Sequence, residues 1–553
     1  MKVRWRTLFQ EITYQLLPFL LMGGVVSIYL GKDWNWDLRN YHFYNPWALT
    51  HDRWGVDLFP AQLQTFLNPL SDLPFYKLAD SQLPDYIVVF LMGLPAGLAA
   101  YFLWRLLASL NEGDAQKPAL TGFWVRAGAC VVGMTGAAGL GQIGSTTGEW
   151  TVAALIIGAV LALTLWQTGK LGGRAAMLGA GLAIGAAAAL KLTAVVPALS
   201  LTIALPFLVV GVDKKQMGRL AIAYVLAGAA GFIVLAGPWM WKMYSNFHNP
   251  IFPYFNGFFR SPLIGPSSGR DIRFIPHDVT ALISFPAYSA LVGNTLRSEL
   301  GLRDPRLLVG LFIALGWVAG GMVRAIARKQ QGDIWRLKLF FAVSYIVMYL
   351  IWSELFAIYR YAIVLELLCG AMLFVVLKDI CRTGLEAGST IAVLTFVALA
   401  LLTSVPDWGR LPLDGGPYFR NKLPTLPYDS LIISTTQEPI GYLVPQWPDH
   451  PKFFAAISNL TSPSYNPKLQ QMIAQRVAEH NGPIYVLRDN RQMGDDVRRL
   501  YELDQITVDD SSCIAIEPPA PANLEVCRAH PNKASAPAVG QIPPGMVTSN
   551  SPT

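Results

Sequence analysis

The chain is dominated by about eleven apolar blocks, each close to the roughly 17 to 25 residues a helix needs to cross the hydrocarbon core of a bilayer. They lie at 14–30, 86–107, 123–142, 150–168, 175–191, 194–212, 219–241, 306–324, 339–354, 361–378 and 388–405. Lipid offers no partner to a backbone N–H or C=O, so blocks of this length read as helices that satisfy themselves. The expected fold is therefore an α-helical, polytopic membrane protein with about eleven transmembrane helices. Composition agrees: 53% of residues are hydrophobic and 14% charged. The net charge of +7 is carried largely in short connections between apolar blocks, where it orients the helices, and no nucleic-acid partner is expected. The basic start MKVRWR, followed by an apolar run, resembles a signal peptide, but no small-residue cleavage site follows Leu30, so an uncleaved first span is expected.

The connections alternate in charge. Lys2, Arg4 and Arg6, Arg105 and Lys117, Lys170 and Arg174, Lys214 and Lys215, Arg328 and Lys329, and Lys378 and Arg382 form the set that should face the cytoplasm. The outer set comprises the 31–85 loop, the Gly141 to Glu149 turn, Lys191, the 242–305 loop, the turn from Glu354 to Tyr359, and everything after Val405. The 242–305 loop is basic, yet loops this long govern topology weakly. Within it Ala281 to Val292 is too short to span and holds Pro286, so an interfacial or re-entrant helix is expected. The amino terminus is expected on the cytoplasmic side.

Three regions result: a transmembrane domain over 1–405 with outer loops 31–85 and 242–305, a small periplasmic α/β domain over 406–528, and a disordered Ala/Pro/Ser-rich tail over 529–553. In the α/β domain, Ser430 to Ser434 and Pro483 to Leu487 read as strands. Pro467 to Glu479 reads as a helix with Leu469, Met472, Ile473 and Val477 on one face, and Leu500 to Ile516 as a hairpin. Cys130, Cys369 and Cys381 fall in or beside apolar blocks and read as buried thiols, whereas Cys513 and Cys527 could pair outside the cytoplasm. There is no recognisable repeat, zinc spacing, phosphate loop or G-x-S-x-G.

Chemistry concentrates in the first outer loop, DWNWDLRNYHFYNPWALTHDRWGVDLFPAQLQTFLNPLSDLPFY, Asp33 to Tyr76. Asp33, Asp37, Asp52, Asp57 and Asp72 lie there with His42 and Arg39 among Trp34, Trp36, Tyr41, Phe43, Tyr44 and Trp47. Carboxylates beside aromatic faces suit a sugar; the same aromatics also suit an interfacial belt. Ionisable residues at span ends are the next candidates. Lys191, Glu354, Arg360 and Glu366 fall on the deduced outer side, either gathered in one cavity or engaged in ion pairs such as Arg360 with Glu354 or Glu366. Arg360, flanked by Tyr359 and Tyr361, has the surroundings of an anion holder.

The layout, with the phrases WDLRNYHFYNPWAL, PAQLQTFLNPLSDLPFY, ALKLTAV, FHNPIFPYFN and YRYAIVLELL, resembles uncharacterised bacterial members of the GT-C superfamily of membrane glycosyltransferases. Relatives in that superfamily include protein O-mannosyltransferases and the lipid A aminoarabinose transferase. The resemblance covers residues 1–405, and the paired acidic dipeptide of the best-studied members is missing from the first loop. It implies inverting transfer of a sugar from a polyprenyl-phosphate donor to a glycan, lipid or protein acceptor at the outer face. A carboxylate must then serve as general base, Asp37 first and Asp33 second. Cations must offset charge on the departing phosphate, with Arg360 and Lys191 as candidates and His42 behind them. Tyr41, Asp57, Gln62, Asn249 and Asn256 are candidate substrate contacts. For Asp57 and Gln62 a loop-stabilising role is the competing reading, and for Asn249-Pro250 a rigid turn. No nucleotide-binding segment is seen, which agrees with a lipid-linked donor, and the acidic loop permits a divalent metal without arguing for one. The alternatives are a polysaccharide polymerase or ligase, a transporter of lipid-linked glycans, and an envelope scaffold.

Overall fold

A computed structural model describes residues 11–111, 119–266, 271–327, 332–381, 386–461, 466–491, 506–517 and 523–531. Lys2, Arg4, Arg6, Lys117, Arg328, Lys329, Arg382, the first part of the expected 500–516 hairpin and the tail beyond residue 531 lie outside them. Each of the eleven apolar blocks is helical over most of its length. Among the described residues eight helices are long and apolar enough to cross a membrane: Thr13–Leu30, Asp85–Asn111, Glu149–Gln167, Gly173–Leu190, Leu192–Val209, Lys214–Phe247, Arg306–Ile326 and Ile334–Leu355. The remaining three blocks are the helices Ala119–Met134, Ile363–Cys381 and Glu386–Leu402. The first and last of these are shorter in their apolar part, and the middle one carries Glu366, Lys378 and Asp379. The section expected to be interfacial is the helix Val279–Leu291, capped by Asp278, whose carboxylate accepts the Ala281 N–H at 2.7 Å.

The chain divides into two compact units that do not follow its linear order. The first comprises Met1–Asp33, Val89–Ala236 and Asp271–Leu413. Its centre is the helix Ile363–Cys381, buried at every position from Ile363 to Val375. Helices approach closely where side chains vanish: a Cβ on Gly185 would stand 2.0 Å from the Gly228 carbonyl oxygen, and one on Gly181 2.3 Å from that of Tyr224. Small residues at such crossings are the usual means of packing helices in lipid. Charge inside the bundle is compensated locally. Glu366 accepts the N–H groups of Ala138 and Gly139 at 2.9 and 2.8 Å, and Asp304 that of Ala137 at 2.7 Å. Arg306, 1% exposed, bonds Asp304 at 3.0 Å and the Val132 carbonyl at 2.7 Å. Two carboxylates and a guanidinium thus close the end of the helix Ala119–Met134, and Glu366 serves that turn.

The second unit comprises Trp34–Val88, Gly237–Arg270 and Asp414–Thr553. The first outer loop therefore packs with the carboxy-terminal α/β region, and a boundary drawn near residue 405 does not separate them. The sheet runs in the order Lys452–Ala455, Leu431–Ser434, Ile484–Asp489, Leu524–Pro531, Ile506–Val508. The first two pairings are parallel and the next two antiparallel. Ile514–Ala515 also pairs antiparallel with Leu524–Pro531. The expected hairpin is thus corrected: Ile506–Val508 and Ile514–Ala515 each take the long strand as partner, which carries the ladder to Pro531, past the expected domain end. The expected helix is found at Pro467–Ala478 and buries Leu469, Met472, Ile473 and Val477. Leu58 of the first loop extends the sheet edge, donating to the Phe453 carbonyl at 2.9 Å and accepting from Ala455 N–H at 2.8 Å. Phe59, Phe66, Phe247 and Phe252 join Leu431, Ile433, Phe454 and Ile473 in one core. Cys513 and Cys527 form a disulfide, while Cys130 and Cys369 are buried thiols and Cys381 is half-buried.

Candidate functional site

Of the candidate residues, Asp33, Lys191 and Arg360 belong to the first unit. The turn Ser145 to Glu149 ties two of them together. Gly144 and Gly148, at φ of 73° and 75°, bend the chain there through conformations that L side chains resist. Thr146 then donates its N–H and its hydroxyl to Asp33 Oδ2, at 2.7 and 2.9 Å. Next in line, the Thr147 carbonyl accepts Lys191 Nζ at 2.6 Å, and the buried Glu149 carboxylate completes an ion pair with the same ammonium. Tyr361 provides the second link. Lys191 Nζ and the Arg360 guanidinium each lie 5.3 Å from the centre of its ring, and Arg360 Nη2 donates to the Tyr361 hydroxyl at 3.3 Å. The negative π-face of an aromatic ring attracts a nearby cation. Asp271 lies within the field of Arg360; burial, which raises its carboxyl, is outweighed by the hydrogen bonds and charge of Arg273 and by Arg360, so it titrates below the ordinary value. Lys191 and Arg360 thus both contact the ring of Tyr361. Asp33 is 1% exposed, with the Thr146 donors filling one oxygen.

Asp37, Tyr41, His42, Asp57, Gln62, Asn249 and Asn256 belong to the second unit. Asp37, 8% exposed, precedes the wide π-helical turn Leu38–His42, at whose start Asn35 accepts the Leu38 N–H at 2.8 Å. In that turn the Tyr41 and His42 rings lie 4.0 Å apart. His42 Nδ1 is 2.8 Å from Asp72 Oδ1, and both side chains are buried. A carboxylate on one ring nitrogen fixes the orientation of the imidazole, so His42 is committed to Asp72, a partner 30 residues away in the chain.

The other candidates are spent on architecture. Asp57 accepts Arg53 Nε at 2.9 Å, Arg53 Nη2 at 2.6 Å, the Tyr44 hydroxyl at 3.1 Å and the Phe453 N–H at 3.0 Å. Burial holds its carboxyl above the ordinary value, opposed by Arg53; every partner is a donor, which fits the ionised form. Gln62 donates to the Gln437 carbonyl at 3.1 Å and accepts the Asn459 N–H at 3.2 Å. Asn249 bonds the Tyr254 carbonyl and the Ile251 N–H, and Asn256 bonds the Ser261, Ile264 and Gly265 carbonyls and the Ser261 N–H. Each of these amides stitches its own loop or joins it to the sheet domain.

Among the described residues, the one set of three side chains able to share a metal ion is Cys513, Glu525 and Cys527, and its two sulfurs are joined to each other. Sequence reasoning passed over Thr146, which carries no charge and lies far in the chain from Asp33, and it noted Tyr361 only as the neighbour of Arg360, not as the ring that also meets Lys191. No protein-family model matches this chain, and no curated protein is significantly similar to it.

Proposed function

We propose that this protein is an inverting membrane glycosyltransferase of the GT-C type, which moves a sugar from a polyprenyl-phosphate donor to an envelope acceptor at the outer face of a bacterial inner membrane. The observation that carries the reading is the pair of cations, Lys191 and Arg360, sharing the Tyr361 ring. When the bond from the anomeric carbon to the phosphate oxygen breaks, the electron pair leaves with the phosphate, and its charge grows. Fixed cations in a poorly solvated setting stabilise that charge without reorganising. Glu149 fixes the Lys191 ammonium in place beside that ring.

The acceptor hydroxyl must lose its proton as it attacks the opposite face of the anomeric carbon. Asp37 is the first choice for this base and Asp33 the second. One oxygen of Asp33 is already filled by two donors, and its side chain is the more completely buried of the two. A base that reaches acceptor from solvent must be approachable. The phosphate-holding role is given to Arg360 and Lys191, with His42 behind them: Asp72 engages its Nδ1, and its Nε2 has no hydrogen-bond partner among the described residues.

The test replaces Asp37 with Asn and Arg360 with Gln in the native host, at wild-type membrane levels, and compares envelope glycans and polyprenyl-phosphate sugars by mass spectrometry with wild type and a deletion strain. Loss of a glycan modification with accumulation of a polyprenyl-phosphate sugar, in both variants as in the deletion, is expected. A glycan phenotype in the deletion alone, with both variants like wild type, overturns the assignment.

A further inference from the structure

A separate feature lies wholly within the first unit, where the helix Arg306–Ile326 ends and the helix Ile334–Leu355 begins. The two helices meet there through one ring. A Cβ on Gly320 would stand 2.9 Å from the Trp335 indole, so the indole rests directly on the first helix. One turn further along that helix, Arg324 sets its guanidinium carbon 5.0 Å from the centre of the same ring, and Lys338 Nζ lies 5.1 Å from it. Lys338 also sits 5.7 Å from the Trp317 ring and pairs with Asp379 at 2.9 Å. Arg336, half-buried beside them, lies against the turn at Gly211, its Nη2 3.0 Å from where a Cβ would stand.

Three cations from two helices thus gather at one end of the bundle. Asp379 pairs with one of them, and Asp333 is the carboxylate nearest to them in the chain; three cations set against these two leave positive charge in excess. The rule that basic residues collect on the cytoplasmic side accounts for where they stand. It does not bring two of them to one ring. An aromatic face attracts a cation whose stem lies along apolar surface, so the charges are held at the membrane edge.

The surface next to them is apolar. Met322, Val323, Ile326 and Ile334 are 61, 65, 83 and 42% exposed, on segments long and apolar enough to span. Lipid tails, as apolar as these side chains, cover such a surface in a bilayer. Held cations beside lipid-facing aliphatic side chains match an amphiphile with an anionic head. Free phosphate satisfies the cations and gains nothing from the apolar face; a zwitterionic lipid brings its own ammonium to the cluster. Basic pockets between membrane helices on the cytoplasmic side are a usual place for anionic headgroups.

We infer that Arg324, Arg336 and Lys338, gathered about Trp335, hold the phosphodiester of an anionic phospholipid whose acyl chains run over Val323, Ile326 and Ile334. The inference lies outside the proposed transfer reaction and does not depend on it, since its readout is lipid binding.

Purified full-length protein in detergent is titrated with phosphatidylglycerol or phosphatidylcholine, and bound lipid is counted by native mass spectrometry. The first phosphatidylglycerol should bind at least about tenfold more tightly than phosphatidylcholine, a difference equal to ~1.4 kcal/mol. Each cation near a charged lipid is worth ~1 kcal/mol, about fivefold, so Arg324→Gln with Arg336→Gln should weaken that first site about 25-fold and leave phosphatidylcholine unchanged. Arg324→Lys with Arg336→Lys keeps the charge and should keep the preference. Arg174→Gln with Lys215→Gln removes equal charge from exposed positions elsewhere on the expected cytoplasmic side, and should leave the first site as it is. A lysine pair that binds no better than the glutamine pair shows that charge is not the cause, and the inference falls. Equal weakening by the Arg174 and Lys215 pair means a diffuse field and overturns it as well. So does equal affinity for the two lipids, or displacement of phosphatidylglycerol by glycerol phosphate, which would make the cluster a site for a free anion.

Discussion

Asp57 offers the sharpest test of how the first outer loop is held. Its carboxylate, fully buried, receives four hydrogen bonds, two from Arg53, one from Tyr44 and one from the Phe453 N–H in the sheet. Asp57→Asn removes the charge and turns one acceptor oxygen into a donor facing donors. Breaking a buried ion pair from one side costs ~3–5 kcal/mol. Here the lower end applies, because Arg53 is 13% exposed and keeps its bonds to the His450 and Pro451 carbonyls. A loss of about 3 kcal/mol corresponds to somewhat more than 100-fold in the local opening equilibrium. Hydrogen exchange read by mass spectrometry should therefore show the amides of Lys452–Ala455 exchanging on the order of 100-fold faster in Asp57→Asn. Replacing both partners, Arg53→Met with Asp57→Leu, leaves no lone buried charge and should recover most of that loss. Wild-type exchange at 452–455 in Asp57→Asn would refute the reasoning and return Asp57 to the surface as a free substrate contact. A double variant as damaged as the single one would show that packing, not charge pairing, sets the cost.

Gly185→Val should overpack the crossing with the 214–247 helix and cost about 1–3 kcal/mol or more, lowering the melting temperature in detergent, whereas Gly179→Ala on the same helix meets open space and should not. Equal melting temperatures for the two would remove the close-approach account. Replacing Cys513 and Cys527 with Ser opens a loop with sequence separation 14, worth about 3 kcal/mol of chain entropy, and exchange of the Leu524–Pro531 strand should speed up accordingly; unchanged exchange would mean the sheet alone holds it. Asp271 titrates below the ordinary carboxylate value, so its stabilising link to Arg273 is fully present above about pH 3.9 and lost as pH falls through the lower folded value. Exchange at residues 271–275, corrected for intrinsic rates, should distinguish wild type from Asp271→Asn at pH 6, with the difference shrinking as the pH falls below about 3.9; a difference independent of pH would assign it to packing.

The apolar blocks were legible in the sequence because lipid imposes a local rule: some twenty residues in a row must be apolar and must pair their own backbone. All eleven are helical for that reason, and the helix Pro467–Ala478 was legible from the spacing of Leu469, Met472, Ile473 and Val477. The Cys513–Cys527 pairing was open in the sequence, and folding closed it. The strand Leu524–Pro531 was missed because its residues, LEVCRAHP, show no clean alternation; it is held by the neighbours it joins.

What the sequence by itself determined is the set of elements whose environment is prescribed within one stretch of chain: the apolar helices, the amphipathic helix and the polar, aromatic first loop. Only the tertiary structure decided which of them meet. Lys191 and Arg360 come together through Tyr361, Asp33 and Lys191 through the 145–149 turn, and His42 takes Asp72. The first loop joins the distant sheet through Leu58 and Asp57. A span needs only its own side chains to be recognised, because the bilayer acts on each residue separately. Pairings like these depend on hydrogen bonds and charges closing across tens to hundreds of residues, where one uncharged Tyr or Thr can be the joint.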